Sequence, residues 1–267
     1  MSPAGPLTVL FDLDDTLVAF EAVSEQSWLE VCLEYERRGR RLGAAELAAA
    51  IREHARSYWS DPERHRWGRA HMLEARRSIV SETFASLGLP AHDAVGLADS
   101  YSVVRLARMH ALDGAHETLR LLRHHGCRLG LVTNGDGPGQ REKIDRFALA
   151  GYFEVILVEG EVGFGKPDAR VYHRALAELR CSPDETRMVG DNLVWDVDAP
   201  QRMGILSVWV DRIGTGLPAG CATLPWRIVR TVAELPRALG LAARGKHPGL
   251  TTPDAADRLG RPQGEKA

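Results

Sequence analysis

Three carboxylates stand at the end of the chain's first strongly apolar run. In "LTVLFDLDDTLVAF" (Leu7 to Phe20), residues suited to the interior of a sheet lead straight into Asp12, Asp14 and Asp15. Two later runs end in a comparable way. "RLGLVTNG" delivers Thr133, Asn134 and Gly135, and "TRMVGD" delivers Asp191, with Asp196 shortly after. "GFGKPD" places Lys166 between another apolar run and a helix. Taken singly, each piece has a structural use: carboxylates at a strand end cap helices or face water, "TNG" makes a turn, and "GKPD" starts a helix with Pro in its first turn. None of these uses accounts for their meeting at one edge. Clustered carboxylates repel one another unless a cation lies among them, which points to a hard divalent ion with oxygen ligands, Mg²⁺. Thirty of the thirty-four basic residues are arginine, yet the loop facing the carboxylates carries a lysine. A compact ammonium suits point contacts with phosphate and carboxylate, where a broad guanidinium would crowd the site.

That the pieces meet follows from the elements that carry them. Short apolar strands are expected at Leu7–Leu13, Arg128–Asn134, Glu154–Gly160, Thr186–Asp191 and Ile205–Val210, with "WRIVR" at Trp226–Arg230 as an edge. Helical periodicity separates them at about Ala115–His124, Gln140–Leu149 and Asp168–Leu179, and from about Pro200. Alternation of this kind predicts an α/β fold, a parallel sheet covered on both faces, with ligands bound outside the carboxyl ends of its strands. Between the first strand and the rest, apolar residues recur at helical intervals: Trp28, Val31, Cys32 and Tyr35; Leu47, Ile51 and Tyr58; Val80, Phe84 and Leu87; Leu97, Tyr101 and Val104. The expected organisation is a Rossmann-like core from residues 1–18 and 110–244, an inserted all-α cap of about four helices at 19–109, and a polar, mobile tail at 245–267.

Composition bounds the function. A chain of 267 residues with a net charge of −2 has no basic field to draw nucleic acid or an acidic membrane, and no apolar run approaches a spanning helix. The start of the sequence lacks a basic region followed by a cleavable apolar one, and the four cysteines, Cys32, Cys127, Cys181 and Cys221, show no metal-type spacing. The expectation is a cytoplasmic protein with reduced thiols, working on a small molecule, with no nucleic-acid or membrane partner. Monomer and homodimer both stay open.

"FDLDDTL", "LVTNG", "GKPD" and "VGDNLVWD" together resemble the four motifs of the haloacid dehalogenase superfamily, in its usual order. The helical insert lies where that superfamily carries its C1 cap. The stretch "LVTNGDGPGQREKIDRFALAGYF" is similar to the subgroup of N-acylneuraminate-9-phosphatases, nucleotidases and flavin-precursor phosphatases. The resemblance implies phosphoryl transfer through an aspartyl-phosphate. Asp12 would be the nucleophile, and Asp14, on the same side of a strand of period two, the general acid and base. Mg²⁺ would be held by Asp12, Asp191 and the Asp14 backbone carbonyl, with Asp196 orienting the others. Thr133 and the Asn134 amide, beside Gly135, would grip phosphoryl oxygens, and Lys166 would hold nucleophile and phosphate together. Leu13 and Asp15 would lie against the phosphate, the Asp15 backbone N–H being available to it.

The implied activity is a Mg²⁺-dependent phosphatase acting on a small phosphorylated metabolite: a sugar phosphate, a nucleoside monophosphate or a flavin-pathway intermediate. Phe20 and Glu21, just past the first motif, and Trp59, Arg64, His65, Arg66, Trp67, Arg69 and His71, in "RSYWSDPERHRWGRAHMLEARRS", are the candidates for reading the leaving group, Arg66 and Trp67 foremost; the plain alternative is a solvated basic helix face with anchored tryptophans. A sugar-phosphate mutase uses the same core and stays open. A 2-haloacid dehalogenase has no alkoxide to protonate, which leaves Asp14 without a task, and a binding module has no use for the full catalytic set. A phosphonate-cleaving enzyme needs a cap lysine, and residues 19–110 contain none.

Overall fold

The computed structural model describes residues 6–39 and 42–241; the segment from 245 onward, expected to be a mobile tail, lies outside them. Six strands form one sheet: β1 (Thr8–Phe11), β2 (Arg128–Thr133), β3 (Val155–Val158), β4 (Thr186–Gly190), β5 (Leu206–Val210) and β6 (Arg227–Val229). They are parallel throughout and lie in the order β3-β2-β1-β4-β5-β6. The chain therefore winds outward from β1 on one side, then returns to start again on the other. The crevice where the order reverses, between β1 and β4, is where such sheets bind ligands. In register, Phe11 stands opposite Leu131 of β2 and Val189 of β4, so the residue after Phe11 emerges at that crevice.

All four residues of β1 are buried, as expected of a strand covered on both faces. Alternate side chains enter different cores. Val9 and Phe11 join Leu119, Leu122, Leu131, Ile144 and Val208 on one face, while Leu10 joins Val132, Tyr172, Leu176, Leu179 and Met188 on the other.

The insert contains five α-helices among the described residues: α1 (Ser24–Arg37), α2 (Ala44–Ser60), α3 (Pro62–Ala70), α4 (Met72–Ser86) and α5 (Ala91–Arg108). The sequence suggests about four; the extra one follows from Asp61-Pro62. Asp61 is extended (φ −79°, ψ 121°), its carboxylate accepts the N–H groups of Glu63 and Arg64, and Pro62 opens a new nine-residue helix. These helices enclose an apolar cluster of their own, with Trp28 stacked on Tyr101 at 3.6 Å between ring centroids.

The core helices are α6 (Ala115–His124), α7 (Gly137–Arg146), α8 (Glu159–Val162), α9 (Ala169–Leu179), α10 (Ala199–Gln201) and α11 (Leu235–Ala238). Helix α7 begins at Gly137, ahead of the expected Gln140, because Asp136 caps it by accepting the Gly139 N–H at 2.7 Å. Ahead of α10, residues Leu193–Asp198 form a π-helical turn capped by Asn192. No helix of the described residues is long and apolar enough to cross a membrane. All four cysteines are free; burial raises the thiol pKa of Cys32 to about 12 and of Cys127 to about 11, which keeps both inert.

Candidate active site

Asp12 is the first residue past β1, and its N–H still donates to Val189 of β4 at 2.9 Å. That bond fixes its carboxylate over the crevice between the two strands. Lys166, only 1% exposed, reaches the same point from the loop before α9. Its Nζ lies 2.6 Å from Asp12 Oδ1 and 2.7 Å from Asp196 Oδ1, and Thr16 Oγ1 donates to Asp12 Oδ2 at 3.1 Å. Asp196 is fully buried on the π-helical turn, where its other oxygen accepts the Asn192 N–H at 3.1 Å. Its side chain packs across Gly190, where any Cβ would overlap the carboxylate, so the strand can end here only in glycine.

Asp12, Asp191 and Asp196 each offer a carboxylate oxygen, all within 4.8 Å of one another. Burial raises the Asp12 pKa to about 7; Lys166 pulls it down, and Asp196 and Asp14 push it up. Asp191 is raised to about 8, first by burial and then by the charges of Asp12, Asp196 and Asp15. Burial opposes the Lys166 charge, but Asp12 and Asp196 outweigh it and hold its pKa above the usual lysine value. One buried ammonium thus leaves the carboxylates short of positive charge. A donor set made only of oxygens, with carboxylates that resist ionising unaided, fits a hard divalent cation.

The Asp14 carboxylate does not belong to that set, in keeping with the expectation that Asp14 would reach a metal only through its backbone carbonyl. Lys143 Nζ holds both its oxygens, at 2.7 and 2.6 Å, and Gln140 Nε2 donates to it at 3.1 Å. Gln140 also reaches Thr133 Oγ1 at 3.1 Å and the Asn134 carbonyl. Residues 140 and 143 are three apart on α7 and so share the face turned to the site. Lys143 was legible as one of only four lysines, but nothing in its local sequence aims it at Asp14.

Three other expectations change. The Asp15 N–H is not available to a ligand: it donates to Val18 O at 2.7 Å, closing a tight turn in which Asp15 has φ +58°. Its carboxylate instead accepts the N–H groups of Phe20 and Glu21 at 3.1 and 2.7 Å and pairs with Arg212 at 2.8 Å, fixing where the chain enters the insert. The Asn134 side chain straps the lysine loop, donating to Lys166 O and accepting its N–H, both at 2.7 Å. Any grip of Asn134 on a phosphoryl group is left to its backbone. Leu13 is fully buried in the sheet core and does not line the cavity. Gly135 stays at the site with φ +127°, and its N–H donates to Glu159 Oε2 at 3.1 Å.

A cavity of about 920 Å³ opens from Asp12, Asp14, Thr133 and Asp191 towards the helical insert. Phe20 forms part of its wall, and its ring centroid lies 3.5 Å from the Arg105 guanidinium of α5 and 4.3 Å from Lys143 Nζ. Arg66 and Trp67 do not reach it. Both point to solvent, Trp67 being 47% exposed and stacked on His71, because α3 turns its other face inward. That face presents His65, stacked on Trp195, and Arg69, which lies over the same indole and pairs with Glu159 at 3.0 Å. A helix's inward face depends on its partners, and nothing in the α3 sequence distinguishes positions 65 and 69 from 66 and 67.

Comparison with known proteins follows the same lines. A family model for haloacid dehalogenase-like hydrolases matches residues 7–204. A protein of Thermus thermophilus described as a phosphoserine phosphatase is 31% identical over 76% of this chain and 88% of its own length. The N-acylneuraminate-9-phosphatase of Rattus norvegicus is 27% identical over 86% of this chain and 92% of its own. In fold, the chain is similar to the HAD-hydrolase YfnB from Bacillus subtilis, with a TM-score of 0.69 and 24% identity, covering 88% of this chain and 98% of that one. The match over residues 7–204, which carry all four motifs and strands β1 to β4, settles its membership: the chain belongs to the haloacid dehalogenase-like hydrolase family.

Proposed function

We propose that the chain is a phosphoric monoester hydrolase that cleaves a small phosphorylated metabolite through an aspartyl-phosphate on Asp12. The observation that carries this is Asp14. It lines the same cavity as Asp12 and is held in one orientation by Lys143 and Gln140. A halide leaves without a proton, whereas an alkoxide needs one, and a second carboxylate on the same cavity wall supports a leaving group that takes one. The relatives described as phosphatases support the same class.

In the first half-reaction an Asp12 oxygen bonds to phosphorus, the ester P–O bond breaks, and the leaving oxygen takes the Asp14 proton. In the second, water attacks the same phosphorus, gives its proton to Asp14, and the bond to Asp12 breaks to release phosphate. Lys166 holds Asp12 in line throughout, and Asp196 keeps Lys166 in place. Thr133 and the backbone that follows it meet the phosphoryl oxygens. Asp12, Asp191 and Asp196 would hold Mg²⁺, which when bound neutralises charge on the phosphoryl group and nucleophile. The helical insert covers the leaving group and acts as the cap.

Without metal, the raised pKa values of Asp12 and Asp191 mean that the folded protein binds more protons than the unfolded chain between about pH 4 and about pH 8. Stability contributed by these groups is therefore lost as pH rises through that window. A divalent cation removes the penalty by replacing the protons. Melting curves with EDTA or saturating Mg²⁺ are expected to separate more at about pH 8 than at about pH 6. Release of phosphate from p-nitrophenyl phosphate is expected to stop with EDTA and return with Mg²⁺. Melting curves that coincide at both pH values, or undiminished turnover in EDTA, would remove the metal assignment.

A further inference from the structure

The cavity wall beyond the reacting carboxylates carries three arginines and one lysine from different elements. Three of these cations are already matched: Arg69 with Glu159, Arg105 with Glu21 and Lys143 with Asp14. Arg76, on α4, has no carboxylate within ion-pair distance among the described residues. One of its guanidinium nitrogens donates to Ser102 Oγ on α5, and its guanidinium carbon lies 4.9 Å from the centre of the Tyr101 ring. Burial, together with the neighbouring Arg105, lowers its pKa to about 10, although Asp136 and Asp99 beyond ion-pair distance act in the opposite sense, the sign of a cation whose charge is only partly compensated. Leaving a half-buried arginine without an ion-pair partner is costly, and the cost is recovered when an anion arrives.

We propose that Arg76, seated by Ser102, binds a carboxylate on the leaving group, so that the substrate is a phosphorylated hydroxy acid. This rests on the phosphatase activity proposed above and narrows it. A guanidinium presents a planar fork that matches a carboxylate with two parallel hydrogen bonds. A second phosphate fits less well. It carries nearly twice the charge for one unmatched cation, and Glu74, Asp136 and Glu142 on the same wall repel the excess. The arrangement selects against leaving groups that are neutral at this end, such as a nucleoside or a simple polyol.

Matched pairs of monoesters test this: 3-phosphoglycerate against glycerol 3-phosphate, and O-phosphoserine against O-phosphoethanolamine. In the wild type, kcat/KM is expected to favour the carboxylate-bearing member of each pair by roughly ten- to a hundredfold, the worth of hydrogen bonds to a charged group. In Arg76→Gln that ratio is expected to fall towards one, and Arg76→Lys to retain part of it. Should Arg76→Gln fail to fold, Ser102→Ala gives the same readout by releasing the guanidinium. A wild-type ratio near one overturns the subsite while turnover of p-nitrophenyl phosphate leaves the phosphatase standing. Equal losses on both members of a pair also overturn it, and reduce Arg76 to a packing residue. A chain that hydrolyses no monoester overturns the phosphatase and the subsite together.

Discussion

Asp12→Asn is expected to abolish turnover, by about 10⁴-fold or more, as removal of a nucleophile does in enzymes whose catalytic groups act as a unit. The same change is expected to leave the fold intact. Asp12 is buried and its charge is disfavoured, with a pKa near 7 in the absence of metal. Asparagine has the same shape and no charge, and Lys166 keeps Asp196 as partner. In EDTA at about pH 8, where Asp12 is ionised at the cost of stability, the variant should melt no lower than the wild type. Phosphate release and a thermal melt on one sample read both halves. Activity within about tenfold of the wild type would remove Asp12 from the nucleophile role; lost activity with a lost fold would make its part structural.

Lys166→Met carries the second large effect, and here fold and chemistry fall together. The ammonium is the only cation touching Asp12 and Asp196 among the described residues, and both carboxylates are buried. Removing one partner of a buried ion pair costs about 3–5 kcal/mol, which for a chain of this size lowers the melting temperature by roughly 6–20 °C. Asp12, stranded without its ammonium, can take up a proton instead, so the loss should be smaller at about pH 5.5 than at about pH 8. Turnover is expected to fall by about a thousandfold or more, since the nucleophile loses the group that aims it. Lys166→Arg should not rescue it, because a guanidinium is broader than the enclosed space between two carboxylates. A loss of stability that does not depend on pH would show that Lys166 stabilises by packing alone.

The features legible in the sequence are those that depend on short-range pattern. Apolar runs located the strands, β1 ending within two residues of the expected place, and the alternation of strand and helix implied a parallel sheet. Carboxyl-end logic then brought Asp12, Asp191, Asp196 and Lys166 to one point, although they span nearly two hundred residues of chain. What stayed hidden depends on partners distant in sequence. The Asp15 N–H looked available until the turn back to Val18 claimed it, and the Asn134 amide looked free until the Lys166 loop closed on it. Lys143 could not be placed without knowing that α7 starts at Gly137, which sets the face it shares with Gln140. The insert was harder still. Its helices follow from periodicity, but α3 has charged or aromatic residues on every side, so its inward face is set by packing against Trp195 and Glu159.

A covalent phosphoryl group on one identified side chain is the feature that most directly separates this mechanism from direct attack by water. Rapid acid quench during turnover of p-nitrophenyl phosphate with Mg²⁺, followed by peptide mass mapping, reads it. The predicted result is a single phosphoryl adduct on the peptide around Asp12, lost in Asp12→Asn. An adduct on another residue, or turnover at full rate with the Asp12 peptide never modified, would contradict it.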